Sequence, residues 1–448
     1  MPPSLARLPP PMNRQRPHGN WSSIRVGRTG GSTLSDLGLR AVSALGFVAM
    51  MGIAWCFSMN RARIPWRVVG WGVGLQFTLA VVLLKSPIGT AFFVAINQLV
   101  NRLIVYSEAG ARFVFGSLLD TGASFALNVL PVIIFMGSLT AVLYHVGVLQ
   151  RIVNMFSWAL ERTMGVSGAE ALAAVANVFV GMVESTLVIK PYLPAMTRSE
   201  LFSLMTLGMG TVAGSVLIVY VQFLGGGDFA GHLVIASLLS APAGLLIAKI
   251  ILPESETPAT LGGERTVATS EAAETRASNV IDAAATGAIS GLKLAAYVAA
   301  LLIAFYALIE MGNDILGTAG GLAGFPDLTF QGVFGVIMTP IAVLMGVPLA
   351  DAQAVGSLLG VKTILNEFVA YHQLGELAAQ GALEPRSVII ASYALCGFAN
   401  FGSLAILLGG IEGVAPGRRQ EVARLGLYSI LSGSLTTFMT ACLAGMLL

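Results

Sequence analysis

The sequence predicts an all-α polytopic membrane protein with about eight transmembrane helices, two re-entrant hairpins in an inverted repeat and one interfacial amphipathic helix. Three observations support this fold class. Hydrophobic residues make up 55% of the 448 residues and charged residues only 11%, whereas soluble domains carry about 25% charged residues. Mean hydropathy is +0.80. Finally, several apolar segments are long enough to cross a bilayer, and two others have polar centres.

A spanning helix needs roughly 20 predominantly apolar residues to cross about 30 Å of hydrocarbon. The segments that meet this requirement are 37–58, 65–85, 127–149, 201–222, 229–251, 288–311, 387–410 and 424–447. Residues 88–116 instead mix apolar residues with asparagine, arginine and glutamate. This mixture is typical of an amphipathic helix that lies along the membrane interface.

Two apolar stretches, residues 168–193 and 350–374, are interrupted by polar residues near their centres. Each arm has about 10–13 residues, which corresponds to roughly 15–20 Å of helix. An arm of this length reaches the middle of the bilayer and must turn back. We therefore interpret both stretches as re-entrant hairpins.

Polar segments divide the chain. Residues 1–34 are rich in proline, glycine and arginine and lack the apolar centre of a secretory signal peptide, so we expect a disordered tail, with a transit peptide as the second interpretation. Residues 253–284 are acidic and rich in small residues, which favours a flexible connector. The predicted parts follow in order along the chain. They are the tail 1–34, scaffold helices with the interfacial helix 35–165, the first hairpin with the helices that follow it 166–252, the connector 253–285, a scaffold helix with a linker 286–345, and the second hairpin with the helices that follow it 346–448.

Basic residues cluster in short loops that share one side of the membrane if the N-terminus lies outside. These residues are Arg61, Arg63, Arg67, Arg151, Arg162, Lys190, Arg198, Arg418 and Arg419. Because positively charged loops favour the cytoplasm, we expect an external N-terminus. The arginine-rich tail would then lie outside and the acidic connector inside, against the same rule.

Each hairpin is followed by a glycine-rich apolar segment and then by another span. The first hairpin contains Glu184 in "GMVESTLVIKPYL", and the second contains Glu367 in "GVKTILNEFVAY". The segments that follow, 207–220 and 394–410, carry glycines and small polar residues near mid-span. In secondary transporters, paired broken helices of this kind mark the substrate site near the midplane. Since the hairpin bases lie on opposite faces, the repeats are inverted and suit alternating access.

A carboxylate inside the bilayer costs a few kcal/mol on insertion scales, so Glu184 and Glu367 indicate a functional site. The alternative is that each is a structural carboxylate held by backbone N–H groups or by a lysine, and Lys362 is the candidate partner of Glu367. The nearby Asn400 and Ser403 are amphoteric hydrogen-bonding groups. Such a site fits a neutral molecule with several O–H or N–H donors, for example a sugar with vicinal hydroxyls.

Four motifs resemble the concentrative nucleoside transporter family. They are "GMVESTLVIKPYL" at 181–193, "NEFVAY" at 366–371, "CGFANFGS" at 396–403 and "GGIEGVAPGRR" at 409–419. The resemblance follows the element order over residues 37–448. It implies a homotrimer in which outer helices hold a mobile domain of hairpins and broken helices. It also implies inward transport of nucleosides with sodium or, in some members, with protons.

The resemblance implies roles for individual residues. The ribose would bind to Glu367, Asn400 and Ser403, and Phe398 would line the pocket. The residues implied to face the base are Gly181, Met182, Val183, Glu184 and Val216. The residues implied to hold sodium are Asn177, Val180, Thr211 and Val212.

One departure from the family pattern lies between Gly181 and Glu184. Familiar bacterial members carry glutamine followed by threonine or serine there, whereas this chain has Met182 and Val183. Two groups that could hydrogen-bond the base are therefore missing. Because rejection of a wrong substrate relies on leaving polar groups of the site unpaired, we expect weaker base selectivity or a substrate other than a standard nucleoside.

These observations favour a cation-coupled symporter, with sodium as the expected coupling ion, that imports nucleosides across the lipid bilayer of the bacterial inner membrane. The alternative is a proton-coupled transporter of the same fold with a different or broader nucleoside-like substrate. An intramembrane enzyme is disfavoured because the sequence lacks a nucleophile constellation, a metal motif and a phosphate loop, and the inverted repeat disfavours a channel. The net charge of +2 is too small to suggest a nucleic-acid partner, and no cofactor besides the coupling ion is expected.

Overall fold

The computed structural model describes residues 36–121, 125–262, 277–322 and 328–448, together with Gly324. These residues form α-helices joined by short turns, and no β-strand occurs among them. The predicted all-α class is therefore confirmed. The predicted tail 1–34 and residues 263–276 of the predicted connector lie outside the described residues.

The helices follow one another closely along the chain. The first five are α1 (Asp36–Cys56), α2 (Trp66–Lys85), α3 (Pro87–Phe115), α4 (Leu130–His145) and α5 (Val148–Met164). The next five are α6 (Gly168–Val180), α7 (Met182–Val188), α8 (Arg198–Gly210), α9 (Gly214–Phe223) and α10 (Ala230–Ile251). The last seven are α11 (Val280–Leu322), α12 (Phe330–Leu344), α13 (Leu349–Ile364), α14 (Glu367–Ala379), α15 (Pro385–Leu395), α16 (Phe401–Val414) and α17 (Arg419–Leu447).

Within the described part of the chain, 7 helical stretches are long and apolar enough to cross a membrane, and two bent helix pairs raise the number to 9. The stretches comprise α1, α2, α3, α8 with α9, α10, the first part of α11, and α17. This range includes the predicted number of about eight. The bent pairs are α4 with α5 and α12 with α13.

Helix α3 occupies the region predicted to be an interfacial amphipathic helix. It is a single helix of 29 residues, and the Ser86 hydroxyl caps its start by accepting from the Gly89 N–H at 3.1 Å. Few of its side chains are buried, Val100 and Ala111 among them. Its length and apolar character also satisfy the requirement for a span, so its placement along the interface stays a prediction.

The segment predicted as the third span, 127–149, is shorter and more bent than expected. Helix α4 has only 16 residues, and α5 leaves it at an angle of 74°. The bend lies at Gly147, whose φ of +83° is readily available only to glycine. Helix α5 was not predicted. It packs on α6, and the Ser157 hydroxyl donates to the Ala171 carbonyl at 3.2 Å.

The region predicted as a scaffold helix with a linker, 286–345, contains more helix than expected. Helix α11 begins at Val280 and has 43 residues, so residues 280–285 of the predicted connector belong to this helix. The predicted linker contains a second helix, α12, which meets α13 at a bend of 119°. The turn passes through Gly346, whose φ is +86°.

Helices α4 and α11 pack so closely that their backbones touch. A methyl group added at Gly137 would lie 2.7 Å from the Gly287 carbonyl oxygen, and one added at Gly291 would lie 2.7 Å from the Ile133 carbonyl oxygen. Small residues at an interface allow helices in a membrane to approach in this way. By contrast, α8 with α9, α10 and α17 are almost entirely buried by other helices, so these helices form the interior.

Candidate substrate and cation site

The first hairpin consists of α6 and α7 and turns at Gly181. A capping box formed by Ser167 and Glu170 begins α6, and Gly181 ends it with a φ of +105°. Backbone with this φ is strained for any residue with a side chain. Helix α7 runs back against α6 and also contacts α16. The predicted interruption of this stretch is therefore present, with a second arm of only 7 residues.

The apolar segment after the first hairpin is a broken helix. Helix α8 ends at Gly210, and α9 begins at Gly214. Thr211 between them is extended, with φ −129° and ψ 170°. Helix α9 starts beside the hairpin, since a methyl group added at Gly214 would be in van der Waals contact, at 3.4 Å, with the Phe179 carbonyl oxygen.

The second hairpin and its broken helix repeat this arrangement. Helices α13 and α14 meet at the break between Ile364 and Glu367, and α15 and α16 are separated by residues 396–400. Each second helix starts with an asparagine cap. The Asn366 side chain accepts from the Val369 N–H at 3.0 Å, and the Asn400 side chain accepts from the Ser403 N–H at 2.7 Å.

Glu367 joins three of these elements. Its Oε1 accepts from the Tyr220 hydroxyl of α9 at 3.0 Å, and its Oε2 accepts from the Asn400 side-chain N–H at 2.8 Å. Its side chain is buried, as are Asn400 and Ser403. The structure therefore brings together the three residues predicted to bind a ribose, at the meeting point of the second hairpin with both broken helices.

An aromatic cluster supports the Glu367 carboxylate. The Tyr220 ring stacks on Tyr371 with centroids 4.3 Å apart and an interplanar angle of 11°, and it meets Phe368 edge-on at 5.1 Å. Sequence reasoning missed Tyr220 because nothing local links it to Glu367, which lies 147 residues later. The feature of the sequence that could have indicated its role is that it is a tyrosine in the second half of a predicted broken helix.

The residues predicted to face the base occupy the expected elements. Val216 is buried in α9, four residues before Tyr220 and so on the same side of the helix. Phe398 is buried in the break before α16, and its carbonyl accepts from the Asn400 N–H at 2.8 Å. Met182 is buried at the start of α7, close to Gly208 of α8.

Glu184 and Val183 lie in the first turn of α7 after the break at Gly181. The described structure covers their backbone and not their side chains. Helix α7 contacts α16, whose cap Asn400 binds Glu367. The predicted meeting of the Glu184 and Glu367 side chains stays a prediction.

Several oxygen atoms converge where α6 meets the end of α8. The Asn177 side-chain N–H donates to the Leu207 carbonyl at 2.7 Å and to the Thr211 hydroxyl at 2.5 Å. The Asn177 Oδ1 accepts from the Ser185 hydroxyl at 3.3 Å. The Val212 carbonyl accepts from the Ser237 hydroxyl at 3.1 Å.

Three of the four residues predicted to hold sodium therefore lie close together, namely Asn177, Thr211 and Val212. The fourth, Val180, is buried in the last turn of α6. Their donor set consists of amide, hydroxyl and carbonyl oxygens, which suits a hard cation. The negative end of the α8 dipole adds to the attraction. Ser185 and Ser237 were not predicted, and they add hydroxyl oxygens on the hairpin and on α10.

Lys362 does not form the ion pair with Glu367 that the sequence suggested as an alternative. Its ammonium group donates to the Ala394 carbonyl at 2.8 Å and to the Thr437 hydroxyl at 3.1 Å. The ion pairs found among the described residues do not include it. The partners of Glu367 are instead Tyr220 and Asn400.

A buried charge cluster fixes the base of the first hairpin. The Lys249 ammonium lies 2.6 Å from Glu170 Oε1 and 3.2 Å from Glu254 Oε2. The Ser167 hydroxyl donates to Glu200 at 2.5 Å. The Lys249 ammonium also donates to the Ser199 hydroxyl in the first turn of α8 at 2.9 Å. Since Glu170 lies in the capping box of α6, one lysine ties the starts of both helices to α10. Sequence reasoning did not predict this cluster.

Paired hairpins and paired broken helices with converging polar ends define a membrane transporter of the inverted-repeat class. Comparison with known families agrees. Residues 45–118 match the family described as "Na+ dependent nucleoside transporter N-terminus", and residues 232–445 match "Na+ dependent nucleoside transporter C-terminus". Residues 126–227 match a family described as "Nucleoside recognition".

Individual relatives cover nearly the whole chain. The "Uncharacterized transporter YutK" of Bacillus subtilis (strain 168) is 45% identical over 404 residues, which are 90% of this chain and 98% of the relative. The human "Sodium/nucleoside cotransporter 1" is 36% identical over 419 residues, which are 91% of this chain and 63% of that longer protein. The chain therefore belongs to the Na+-dependent, or concentrative, nucleoside transporter family, and it is a transporter rather than an enzyme.

Solved structures of similar proteins include different transport states. The inward-facing substrate-bound state of CNTnw is 40% identical, with a TM-score of 0.85 over 91% of this chain and 98% of that chain. A double variant of CNTnw in an outward-facing state is also 40% identical, with a TM-score of 0.86 over 91% of this chain and 97% of that chain. Alternation between such states is how carriers of this family move nucleosides.

Proposed function

We propose that this protein imports nucleosides by sodium symport, with the ribose held by Glu367. The observation that supports this most strongly is the position of the Glu367 carboxylate, buried between Tyr220 and Asn400 where the second hairpin meets both broken helices. A buried carboxylate is a strong acceptor for paired hydroxyl donors. The 2′- and 3′-hydroxyls of a ribose are such a pair, and the Asn400 amide can both donate to and accept from them.

Sodium binds, in this proposal, between the first hairpin and the end of α8. The ligands are oxygens of Asn177, Val180, Thr211 and Val212. Unwound backbone and half-helix C-terminal ends coordinate sodium in transporters of this architecture. A cation there pulls α6 and α8 together, so it couples the first hairpin to the broken helix that carries Val216 and Tyr220.

The base faces the first hairpin at Gly181, Met182, Val183 and Glu184, with Val216 and Phe398 completing the pocket. The thioether of Met182 is flexible and accepts hydrogen bonds only weakly. We therefore expect purine and pyrimidine nucleosides to compete with comparable strength for uptake.

The protein functions in the bacterial inner membrane as a homotrimer, by analogy with the family. Helix α11 exposes large apolar side chains such as Ile303, Ile315 and Leu322. Such a face suits contact with lipid and with neighbouring copies. Crosslinking of the purified protein in lipid nanodiscs should yield trimers.

Uptake of radiolabelled uridine into proteoliposomes tests the proposed function. We expect a sodium gradient to drive accumulation in the wild type and Glu367→Gln to abolish it. Glu376→Gln is the matched control, because Glu376 lies in the same helix with 59% of its side chain exposed. Accumulation driven by a proton gradient without sodium would support the proton-coupled alternative instead.

A further inference from the structure

Helix α5 packs on the first hairpin with one of its sides. The buried side chains Leu149, Val153 and Ser157 follow one another at spacings of four residues, and the helix packs on α6. Four exposed residues form a stripe on the opposite side, since their spacings of four, three and four residues also place them on one face of a helix. We call these residues the α5 stripe: Arg151, Met155, Trp158 and Arg162.

The stripe exposes large apolar side chains between two charges. Trp158 is 60% exposed and Met155 is 58% exposed. Both lie between Arg151 and Arg162, which are exposed as well. Apolar side chains flanked by arginines are typical of a helix that lies in a membrane interface.

The direction of α5 also fits the interface. Helix α4 packs along α11, whose first part is long and apolar enough to cross a membrane, and α5 leaves α4 at 74°. Helix α5 therefore runs close to the plane of the membrane rather than across it. Its 17 residues cover roughly 25 Å of that plane.

The surroundings of the stripe are basic. The Arg67 side-chain N–H donates to the Arg162 carbonyl at 3.3 Å, so the start of α2 lies beside the end of α5. Trp66, the residue before Arg67, is 75% exposed. Residues 57–67 and 148–164 together contain five arginines, and Glu161 is their single acidic residue. A surface of this charge is complementary to anionic groups.

We propose that the α5 stripe binds the headgroups of anionic phospholipids. Arg151 and Arg162 contact the phosphates, and Met155 and Trp158 lie where the headgroups meet the acyl chains, a level at which tryptophan is enriched. Long basic side chains place their charged ends among headgroups in this way, and anionic lipid attracts basic residues at the membrane surface. A phosphate ion from solution satisfies only the arginines, whereas a lipid also covers the two exposed apolar side chains.

A lipid on the stripe acts on the first hairpin through α5. Ser157, on the buried side of α5, donates to the Ala171 carbonyl of α6 at 3.2 Å. A lipid that holds α5 in place therefore also restrains α6. Because a ligand stabilises the folded segments that it binds, lipid binding should slow the hydrogen exchange of backbone N–H groups in both helices. The inference involves neither sodium nor nucleoside, so its failure is separate from a failure of the proposed function.

Titration of short-chain phosphatidylglycerol into the purified protein in detergent tests the inference. We expect phosphatidylglycerol to raise the melting temperature and to slow hydrogen exchange in α5 and α6. Phosphatidylcholine of the same chain length and inorganic phosphate should do neither. The combined replacement Arg151→Gln and Arg162→Gln should lower the apparent affinity for phosphatidylglycerol about 30-fold.

The matched control is the combined replacement Lys190→Gln and Arg424→Gln, which removes two exposed charges outside the stripe and should keep the wild-type affinity. Without lipid, both double variants should melt like the wild type, because all four side chains are exposed. An equal response to the two lipids, a full response to inorganic phosphate, or an unchanged affinity after loss of both stripe arginines overturns the inference. Loss of crosslinked oligomers without any lipid response would also overturn it, since a second copy of the chain would then cover the stripe.

Discussion

The side-chain amide of Asn400 donates to Oε2 of Glu367 across 2.8 Å, and the same side chain caps α16 through the Ser403 N–H. One residue therefore sets both the start of a half-helix and the orientation of the buried carboxylate. The geometry of the second broken helix and that of the proposed ribose site therefore depend on the same side chain.

Asn400→Ala should weaken nucleoside binding strongly. Loss of a hydrogen bond to a charged group costs about 1.5–3 kcal/mol, which corresponds to roughly 10- to 150-fold in the dissociation constant. Isothermal titration calorimetry in detergent measures this change. Thr329→Ala removes a cap of the same kind from α12, away from Glu367, so it should leave the dissociation constant unchanged. Equal losses of nucleoside affinity in the two variants would show that the affinity depends on helix capping and not on the contact between Asn400 and Glu367.

Tyr220→Phe should weaken nucleoside binding while keeping the aromatic stack. Only the hydroxyl that donates to Glu367 at 3.0 Å is removed, so we expect about a 10-fold loss from a missing charge-assisted hydrogen bond. The control is Tyr371→Phe, since that hydroxyl donates to the Ser392 carbonyl at 2.6 Å and does not contact Glu367. A larger effect at Tyr371 than at Tyr220 would contradict the assignment.

Thr211→Val should raise the sodium concentration that half-saturates uptake, because it removes one hydroxyl ligand and keeps the side-chain shape. Uptake at saturating sodium should recover most of the wild-type rate. The control is Ser203→Ala, which removes a buried hydroxyl from α8, the helix that Thr211 follows, but outside the cation site. A Thr211→Val transporter with an unchanged sodium dependence would exclude Thr211 as a ligand.

Gly181→Ala should destabilise the hairpin turn. A residue with a side chain at φ +105° is strained by about 1–3 kcal/mol, so the melting temperature and the uptake rate should both fall. Gly74→Ala provides the comparison, because Gly74 lies within α2 with open space around it, and alanine favours a helix by about 0.5–1 kcal/mol over glycine. Equal changes in melting temperature and uptake rate for the two substitutions would contradict the predicted strain at Gly181.

Lys249→Met should lower the melting temperature more than any other lysine substitution outside the site. Removing one partner of a buried ion pair typically costs about 3–5 kcal/mol, since the remaining charge stays buried. Here Glu170 would be left at 1% side-chain exposure. Lys190→Met changes an exposed lysine and should have little effect. A Lys249→Met protein as stable as the wild type would contradict the stabilising role of this ion pair.

The sequence allowed prediction of those features that depend on local composition. The two hairpins and the two broken helices follow from glycines and polar residues within apolar stretches. Asn366 and Asn400 were predicted only as polar groups of the site, and the structure shows that they also cap helices. Helices α5 and α12 were missed. Helix α5 continues directly from a predicted span beyond Gly147, and α12 is short enough to have been interpreted as a linker.

Long-range partners could not be predicted from the sequence. Tyr220 reaches Glu367 only after the second repeat has folded against the first. Lys362 was paired with Glu367 because the two are close in sequence, yet its true partners lie 32 and 75 residues away. The Lys249 cluster gathers acidic residues from three separate helix ends and loops, and only the packed structure brings them together.

The central claim is that the Glu367 carboxylate binds the ribose hydroxyls, and a thermodynamic cycle of binding measures this most directly. Uridine and 2′,3′-dideoxyuridine would be titrated into the wild type and into Glu367→Gln at saturating sodium. Groups that contact each other give non-additive losses, whereas independent groups give additive ones. We predict that the wild type loses about 100-fold in affinity for the dideoxy compound, while Glu367→Gln binds both compounds weakly and almost equally. An undiminished preference of Glu367→Gln for uridine would contradict the account.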